Sequence, residues 1–293
     1  MRDEPRRESS HRTAKPDGVV TRGTTHPNRL RRLDRWIGHA FGRELRANDR
    51  SVAVDLGYGR SPITTREWSD RLRAQFGPRV DVVGIEIDEQ RVRDAQRYTD
   101  EGLCFRHGGF EIPLAENESP RLVRALNVLR QYDESEVEGV WTKVVRRLTR
   151  DGAFVEGTCD ELGRRCVWVT LHHADLRTNG HAQPRTITFA ADTATLSRPS
   201  ELAERLPKAL IHRNVEGEAI HEFFREWDRA WARSAPTAPF GPRQRWSEAA
   251  RILRSAGQPV LDGPTRWRRG ELTVAWTAVS PNQAPGNLAR AIR

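Results

Sequence analysis

Lysine is almost missing from this chain: Lys15, Lys143 and Lys208 are the only ones, and arginine carries nearly all the positive charge. Cysteine is scarce as well, with Cys104, Cys159 and Cys166 the only thiols. An odd number without paired metal-ligand spacing speaks against a disulfide framework, and reduced thiols suit an intracellular protein. No apolar run approaches 18 residues, and the first residues lack the charged-then-apolar order of a secretory leader, so a cytoplasmic protein with no membrane partner is expected. Neither a Gly-x-Ser-x-Gly elbow nor a phosphate-loop lysine motif occurs, which leaves hydrolase and nucleoside-triphosphatase chemistry unsupported. His172 and His173 are adjacent, and neighbours on a strand point to opposite faces, so together with His181 they make a poor ligand set and no metal is expected.

What is present is a chain of 293 residues, 37% hydrophobic and 30% charged, ample to bury a core beneath a polar surface. Of the net charge of +9, residues 1–50 supply +6 and the remainder +3. Residues 1–27 are short of large apolar side chains and read as a disordered basic tail, with an arm for RNA or an acidic partner as the functional alternative. From Asn28, Leu30, Leu33, Trp36, Ile37, Phe41 and Leu45 fall on one helical face, so 28–50 is an amphipathic helix.

The informative stretch is Ser51 to Asp88. A short β-branched run, Val52 to Val54, breaks at Asp55-Leu-Gly57-Tyr58-Gly59, a strand entering a tight glycine turn. Ser61 is placed to cap the following helix and Pro62 to occupy its first turn, with Trp68, Leu72 and Phe76 on its apolar face. A second apolar run, Val80 to Ile87, ends in Glu86 and Asp88. Two glycines let backbone approach a ligand closely, and a carboxylate at the next strand's tip suits a ribose diol. A dinucleotide fingerprint asks for a further small residue where Pro62 stands, which disfavours pyrophosphate.

This stretch resembles the class I S-adenosylmethionine-dependent methyltransferases, whose first motif is an acid, any residue, Gly, any residue, Gly. Asp55, Gly57 and Gly59 match it, Glu86 matches the acid after the second strand, and Ser61 replaces the usual third glycine. The phrases NVLRQY and VEGTCDELGRR also look like uncharacterised bacterial, especially actinobacterial, members. The resemblance implies an α/β fold: a Rossmann-like seven-stranded sheet with helices on both faces and a helical C-terminal extension. It divides 28–293 into the first helix, a cofactor-binding core over 51–195 and an extension or lid over 196–293. S-adenosyl-L-methionine is the implied cofactor, held by Asp55, Gly57, Tyr58, Gly59, Glu86 and Ile87, with Gly109, Phe110 and Asn127 completing the pocket.

Downstream, Leu103 to Arg106 is expected as strand three and Leu122 to Asn127 as strand four, because Pro120 blocks a helix at Ser119 and the alternating order calls for a strand. By the resemblance, strand four delivers Asn127, Arg130, Gln131 and Tyr132 to the methyl acceptor, and strand five, Ala153 to Gly157, delivers Glu156. Asn127, Arg130, Tyr132 and Glu156 are the candidate catalytic residues, with Glu156 or Tyr132 as a weak base and Arg130 as an anion clamp. Ser135 and Glu138 form a capping box before the next helix. Arg165 to His172 and Arg185 to Ala190 read as strands, Glu201 to Leu210, Ala219 to Ala232 and Ser247 to Ala256 as helices, and Glu271 to Val279 as a last strand. A small-molecule acceptor is favoured because the core is near charge neutrality. The alternatives are an RNA methyltransferase or a non-catalytic nucleic-acid binder using the basic tail, and then an NAD-dependent oxidoreductase on the same sheet.

Overall fold

The computed structural model describes residues 16–21, 23–47, 50–176 and 180–282. Two helices, α1 (Arg31–Ala40) and α2 (Gly42–Arg46), precede β1 (Ser51–Leu56). Then follow α3 (Ile63–Phe76), β2 (Val80–Glu86), α4 (Glu89–Ala95), β3 (Leu103–His107), β4 (Leu122–Leu126), α5 (Glu134–Arg147) and β5 (Ala153–Cys159). The second half adds β6 (Arg165–His172), β7 (Thr186–Ala191), the short α6 (Lys208–Ile211), α7 (Ala219–Arg233), α8 (Pro242–Ser255), the short α9 (Pro264–Trp267) and β8 (Glu271–Ala275).

All the strands join one sheet in the order β3-β2-β1-β4-β5-β6-β7-β8. The first five run parallel and the last three continue as an antiparallel meander. The chain steps from β1 outward to β2 and β3, then returns to the other side of β1 for β4. That reversal opens a crevice at the carboxyl ends of β1 and β4, the position where open α/β sheets bind ligands. Along β1, Val52, Val54 and Leu56 face one core, with α5, α7 and α8, while Ala53 faces the other, with α1 and α3.

The expected Rossmann-like α/β sheet with helices on both faces is present, with eight strands rather than seven. The eighth strand, β8, lies in the C-terminal third, within the stretch Glu271 to Val279 expected as a last strand, and ends at Ala275. The aromatic stripe of that third (Ile220, Phe223, Phe224, Trp227, Trp231) is buried against β7 through Phe189, which stacks on Phe223 at 5.4 Å.

Several local expectations are corrected. The helix over 28–50 is two helices broken at Phe41, whose ring turns edge-on to Trp36 at 5.8 Å. Pro62, not Ser61, stands at the N-cap of α3, with no side-chain cap bond. The capping box of α5 lies two residues earlier than expected, with Glu136 accepting from the Asp133 amide at 2.8 Å. Pro207 divides the expected helix over 201–210 into a 3-10 turn, Pro199–Arg205, and α6. Cys159 and Cys166 sit directly opposite one another across β5 and β6, with Cα atoms 4.1 Å apart, and are joined by a disulfide, so Cys104 alone is a free thiol. Strand register placed that pair together, which residue spacing alone does not reveal. Among the described residues, no helix is long and apolar enough to cross a membrane.

Candidate functional site

The Gly57–Gly59 turn leaves β1 with two left-handed residues, at φ +70° and +82°. The Gly57 amide donates to the Ile85 carbonyl at 2.8 Å, holding the turn against β2. A Cβ on Gly57 would lie 2.7 Å from Val128 Cγ2, so the position excludes side chains on both conformational and steric grounds. The Gly59 amide donates to Glu86 Oε2 at 2.8 Å. The other carboxylate oxygen of Glu86 accepts from the amides of Ile87 (3.0 Å) and Asp88 (3.3 Å), and Arg91 Nη1 stands 3.5 Å from it. Strands β1 and β2 are neighbours and Glu86 does face the glycine turn. Tyr58 is buried beside it, edge-on to Phe105 at 5.4 Å.

Asp55 faces inward. Its carboxylate takes Arg124 Nε (2.9 Å) and Nη2 (2.8 Å) and the Thr65 hydroxyl (2.7 Å). Arg124, fully buried on β4, also donates to Asp34 on α1 and to the Thr64 carbonyl at 2.9 Å, and its guanidinium lies 4.1 Å over the Trp68 ring. Burial opposes charge on Arg124, yet Asp55 and Asp34 together raise its pKa above the ordinary value. Of the two roles open to Asp55, holding the loop or meeting the ligand, this geometry is the first: it ties β1 to β4, α1 and the start of α3.

The β2–β3 side of the crevice is occupied by the chain itself. Residues 16–21 and 23–27 belong to the expected disordered tail, yet they form a strap with specific bonds; residues 1–15 lie outside the described residues. The Phe110 amide, placed to read a base edge, donates to the Asp17 carbonyl at 2.9 Å, and the Asp17 amide donates to Glu111 Oε2 at 2.9 Å. The Val19 amide donates to the Tyr132 hydroxyl at 2.6 Å, while Gln131 Nε2 donates to the Val19 carbonyl at 3.1 Å. Arg91 Nη2 holds the Thr21 carbonyl at 2.9 Å, and the Arg60 amide holds that of Gly23 at 3.0 Å. Glycines make the approach possible: a Cβ on Gly109 would lie 2.0 Å from the Asp17 carbonyl oxygen, and one on Gly59 would lie 3.0 Å from Gly23. Between strap, Glu86, Ile87 and Phe110 remains a cavity of about 20 Å3, room for roughly one water. The residue types fit an adenosyl group, and with the strap in this position the remaining cavity is too small for one.

On the other side of Gly57 the crevice is open, a cavity of about 530 Å3 bounded by Asp55, Gly57, Asn127, Cys159 and three arginines. Asn127 stands at the tip of β4 with φ +63°, a left-handed angle that asparagine tolerates better than most residues. Its amide donates to the Gly157 carbonyl at 2.7 Å and its Oδ1 accepts from the Cys159 amide at 3.1 Å, which locks β4 to β5 at the cavity floor. Arg130 donates to the Glu204 carbonyl at 3.1 Å, and burial with Arg205 nearby lowers its pKa. Arg29 spends three donors on the carbonyls of Thr24, Cys159 and Asp160.

Thus Asn127, Arg130 and Gln131 line the open cavity, and Glu86, Ile87, Gly109, Phe110 and Tyr132 line the strapped one. The Tyr132 hydroxyl accepts from the strap at Val19, and burial raises its pKa. Glu156 is in neither. It points from β5 toward α5, fully buried, its Oε2 without a hydrogen bond, and burial pushes its pKa up to about 8, with the Trp141 indole offsetting part of the push. Strand alternation explains the miss: Cys159 and Val155 share one face, Glu156 the other. Sequence reasoning also passed over Arg124, although a charge inside the apolar run Leu122 to Leu126, level with Asp55, was a signal for a buried pair. Arg29 and Arg205, far apart in sequence, left no such signal. Among the described residues no three His, Cys, Asp or Glu side chains converge to hold a metal ion.

No protein-family model matches this sequence, and no curated protein matches it. Solved structures that share part of the fold include a TehB-like S-adenosylmethionine-dependent methyltransferase from Corynebacterium glutamicum, 21% identical over 46% of this chain and 64% of that one, at a TM-score of 0.32. Another is magnesium protoporphyrin IX methyltransferase from Synechocystis with bound S-adenosylhomocysteine, 18% identical over 44% and 53%, at a TM-score of 0.33. This chain thus spans less than two thirds of either structure's length, and the likeness is one of partial fold.

Proposed function

We propose that this protein is a class I S-adenosylmethionine-dependent methyltransferase whose acceptor carries a negative charge. The observation that carries the reading is the Gly57–Gly59 turn between neighbouring parallel strands, with Glu86 bonded to the turn at 2.8 Å and both halves of a crevice meeting at Gly57. The cofactor would supply a methyl group already activated on a sulfonium, so the protein's task is alignment and exclusion of water more than acid–base chemistry. Gly57 gives close approach, Glu86 stands where a ribose diol would bind, and the Phe110 amide and ring border the base. Asn127 shapes the cavity floor. Arg130, with Arg205 beside it, is the anion clamp for a carboxylate or phosphate on the acceptor. The acceptor itself is a small anionic molecule or an anionic group on a larger one.

Thermal stabilisation by S-adenosylhomocysteine tests this. A ligand at 100 times its Kd adds about 2.7 kcal/mol to stability, and the shift should vanish in Gly57→Val and Glu86→Ala. Absence of any shift in wild type and in Gly109→Ala, which displaces the strap, overturns the proposal.

A further inference from the structure

Away from the crevice, α1 and α2 border a second, larger hollow of about 1300 Å3. One wall is a rail of exposed arginines along these helices, Arg31, Arg35, Arg43 and Arg46, the first two a helical turn apart at a rise of about 6 Å. The lining also includes Arg268 and Arg269, just before β8, where the Arg269 carbonyl accepts from Arg32, and Arg243 at the start of α8. Arg164, in the β5–β6 turn, closes one end. None of these eight makes a salt bridge among the described residues, although ion pairs are common elsewhere on the surface. The acidic groups in the hollow are already engaged: Glu271 pairs with Arg266, and Asp192 accepts from the Ala194 amide at 3.2 Å. Burial, with Arg31, Arg269 and Arg71 nearby, lowers the pKa of Arg35.

We infer that this arginine-lined hollow is a binding surface for the phosphodiester backbone of a nucleic acid. Guanidinium forks match phosphate oxygens in a bidentate way. Cations without ion-pair partners gathered around a concavity suit a charged strand lying in it, whereas a bilayer needs its cations on a flat or convex face. An acidic protein segment would be expected to find apolar anchors, and Leu162 is the one exposed apolar side chain on the lining. The hollow lies beside the crevice: Asn28 and Arg31 line the hollow, Arg29 and Leu30 line the open cavity, and the β5–β6 turn packs on Arg29 so closely that a Cβ on Gly163 would lie 1.9 Å from its carbonyl oxygen.

The test is binding of a labelled mixed-sequence 20-nucleotide single strand, as RNA and as DNA, across a salt series, with no cofactor present, so that it stands apart from the methyltransferase reading. Wild type should bind with an affinity that falls steeply with salt. The triple variant Arg35→Ala, Arg43→Ala, Arg269→Ala should bind at least about ten-fold more weakly, with the slope of log K against log salt reduced by about 2, as loss of three phosphate contacts on a single strand demands. The same three positions changed to Lys should restore much of the salt slope, and Arg225→Ala, Arg229→Ala, Arg233→Ala on α7 should bind like wild type. Melting curves check that each variant is folded. The inference is overturned if wild type fails to bind either strand, if the triple Ala variant keeps its affinity and slope, if the α7 variant loses as much, or if vesicles rich in phosphatidylserine or poly-glutamate bind as tightly as the strands.

Discussion

On the β2–β3 side of the glycine turn the chain's own residues 17–21 leave about 20 Å3, whereas on the β4–β5 side about 530 Å3 stands open. The two halves share Gly57 and the same sheet edge, yet they are built differently. The closed half is held through strap backbone: the Phe110 amide donates to the Asp17 carbonyl, the Asp17 and Val19 amides donate to the Glu111 carboxylate and the Tyr132 hydroxyl, and glycines clear the approach. The open half is made of arginines whose charge has no carboxylate facing it within the cavity except Asp55, itself committed to Arg124, and Glu161. The segment over the first half carries one charged side chain, Asp17, which pairs with Lys143, whereas the second half leaves guanidinium groups facing its cavity. The difference teaches that the two halves of the crevice leave different polar groups available, backbone amides and carbonyls in the first and guanidinium groups in the second.

The largest blow to this arrangement should come from beneath it. Arg124→Met removes the cation between Asp34 and Asp55 and leaves two buried carboxylates facing each other, a change of about 3–5 kcal/mol in a buried pair. Chemical denaturation should show that loss. The double change Asp55→Asn, Arg124→Met should recover part of it, because the uncompensated charge at the open cavity is then gone. If the single variant is as stable as wild type, the open half does not depend on this network.

Glu156 offers a contrast, because it belongs to neither half. Its folded pKa of about 8 lies above its unfolded value, so its contribution to stability is full below about pH 4.5 and is lost as pH rises through 8. The slope is about 1.4 kcal/mol per pH unit across that window. Glu156→Gln should flatten it, so that the variant is the more stable protein at pH 8 while S-adenosylhomocysteine binds both alike. A loss of cofactor binding in Glu156→Gln would place this carboxyl back in the site.

How far these features could be read in advance depended on the kind of interaction. The strand, glycine turn, helix and strand from Ser51 to Glu86 are written in local pattern, because β-branched runs and paired glycines leave the backbone few choices. The identity of Leu122 to Leu126 as a strand came from element order, since its periodicity was ambiguous. What escaped was everything set by register or by distant pairing. Glu156 sits on the wrong face by one step of strand alternation, and Cys159 met Cys166 through the hairpin between them. The strap escaped because a polar segment with no core of its own shows nothing in sequence of the backbone donors it will find at Phe110 and Arg60. Charge totals misled as well: a nearly neutral remainder concealed Arg243, Arg268 and Arg269 converging on the helix rail of α1 and α2.

A gentler probe separates the halves directly. Gly109 has an ordinary backbone angle, so alanine is conformationally acceptable there, yet its Cβ would strike the Asp17 carbonyl at 2.0 Å. Gly109→Ala should therefore release the strap without unfolding the sheet, at a stability cost of about 1–2 kcal/mol for the hydrogen bonds lost. If the strap occupies the cradle, apparent affinity for S-adenosylhomocysteine rises in proportion to the fraction of molecules freed, and calorimetric titration should show tighter binding than in wild type. Weaker binding in the variant would mean that the strap closes over the cofactor instead of displacing it.

The smallest expected effect is at Tyr132, where a single oxygen accepts the Val19 amide at 2.6 Å. Tyr132→Phe keeps the ring edge-on to Phe110 and removes only that acceptor, so the fold should lose about 1 kcal/mol or less. Hydrogen exchange is the sensitive reading: protection of the Val19 amide should drop while that of the Ile85-bonded Gly57 amide stays unchanged, since the latter depends on β2 and not on the strap. Because Tyr132 was a candidate base, the variant also separates the two roles. Turnover that persists with a flat pH profile leaves Tyr132 as a fastening for the strap, and a loss of activity with unaltered cofactor affinity would return it to the chemistry.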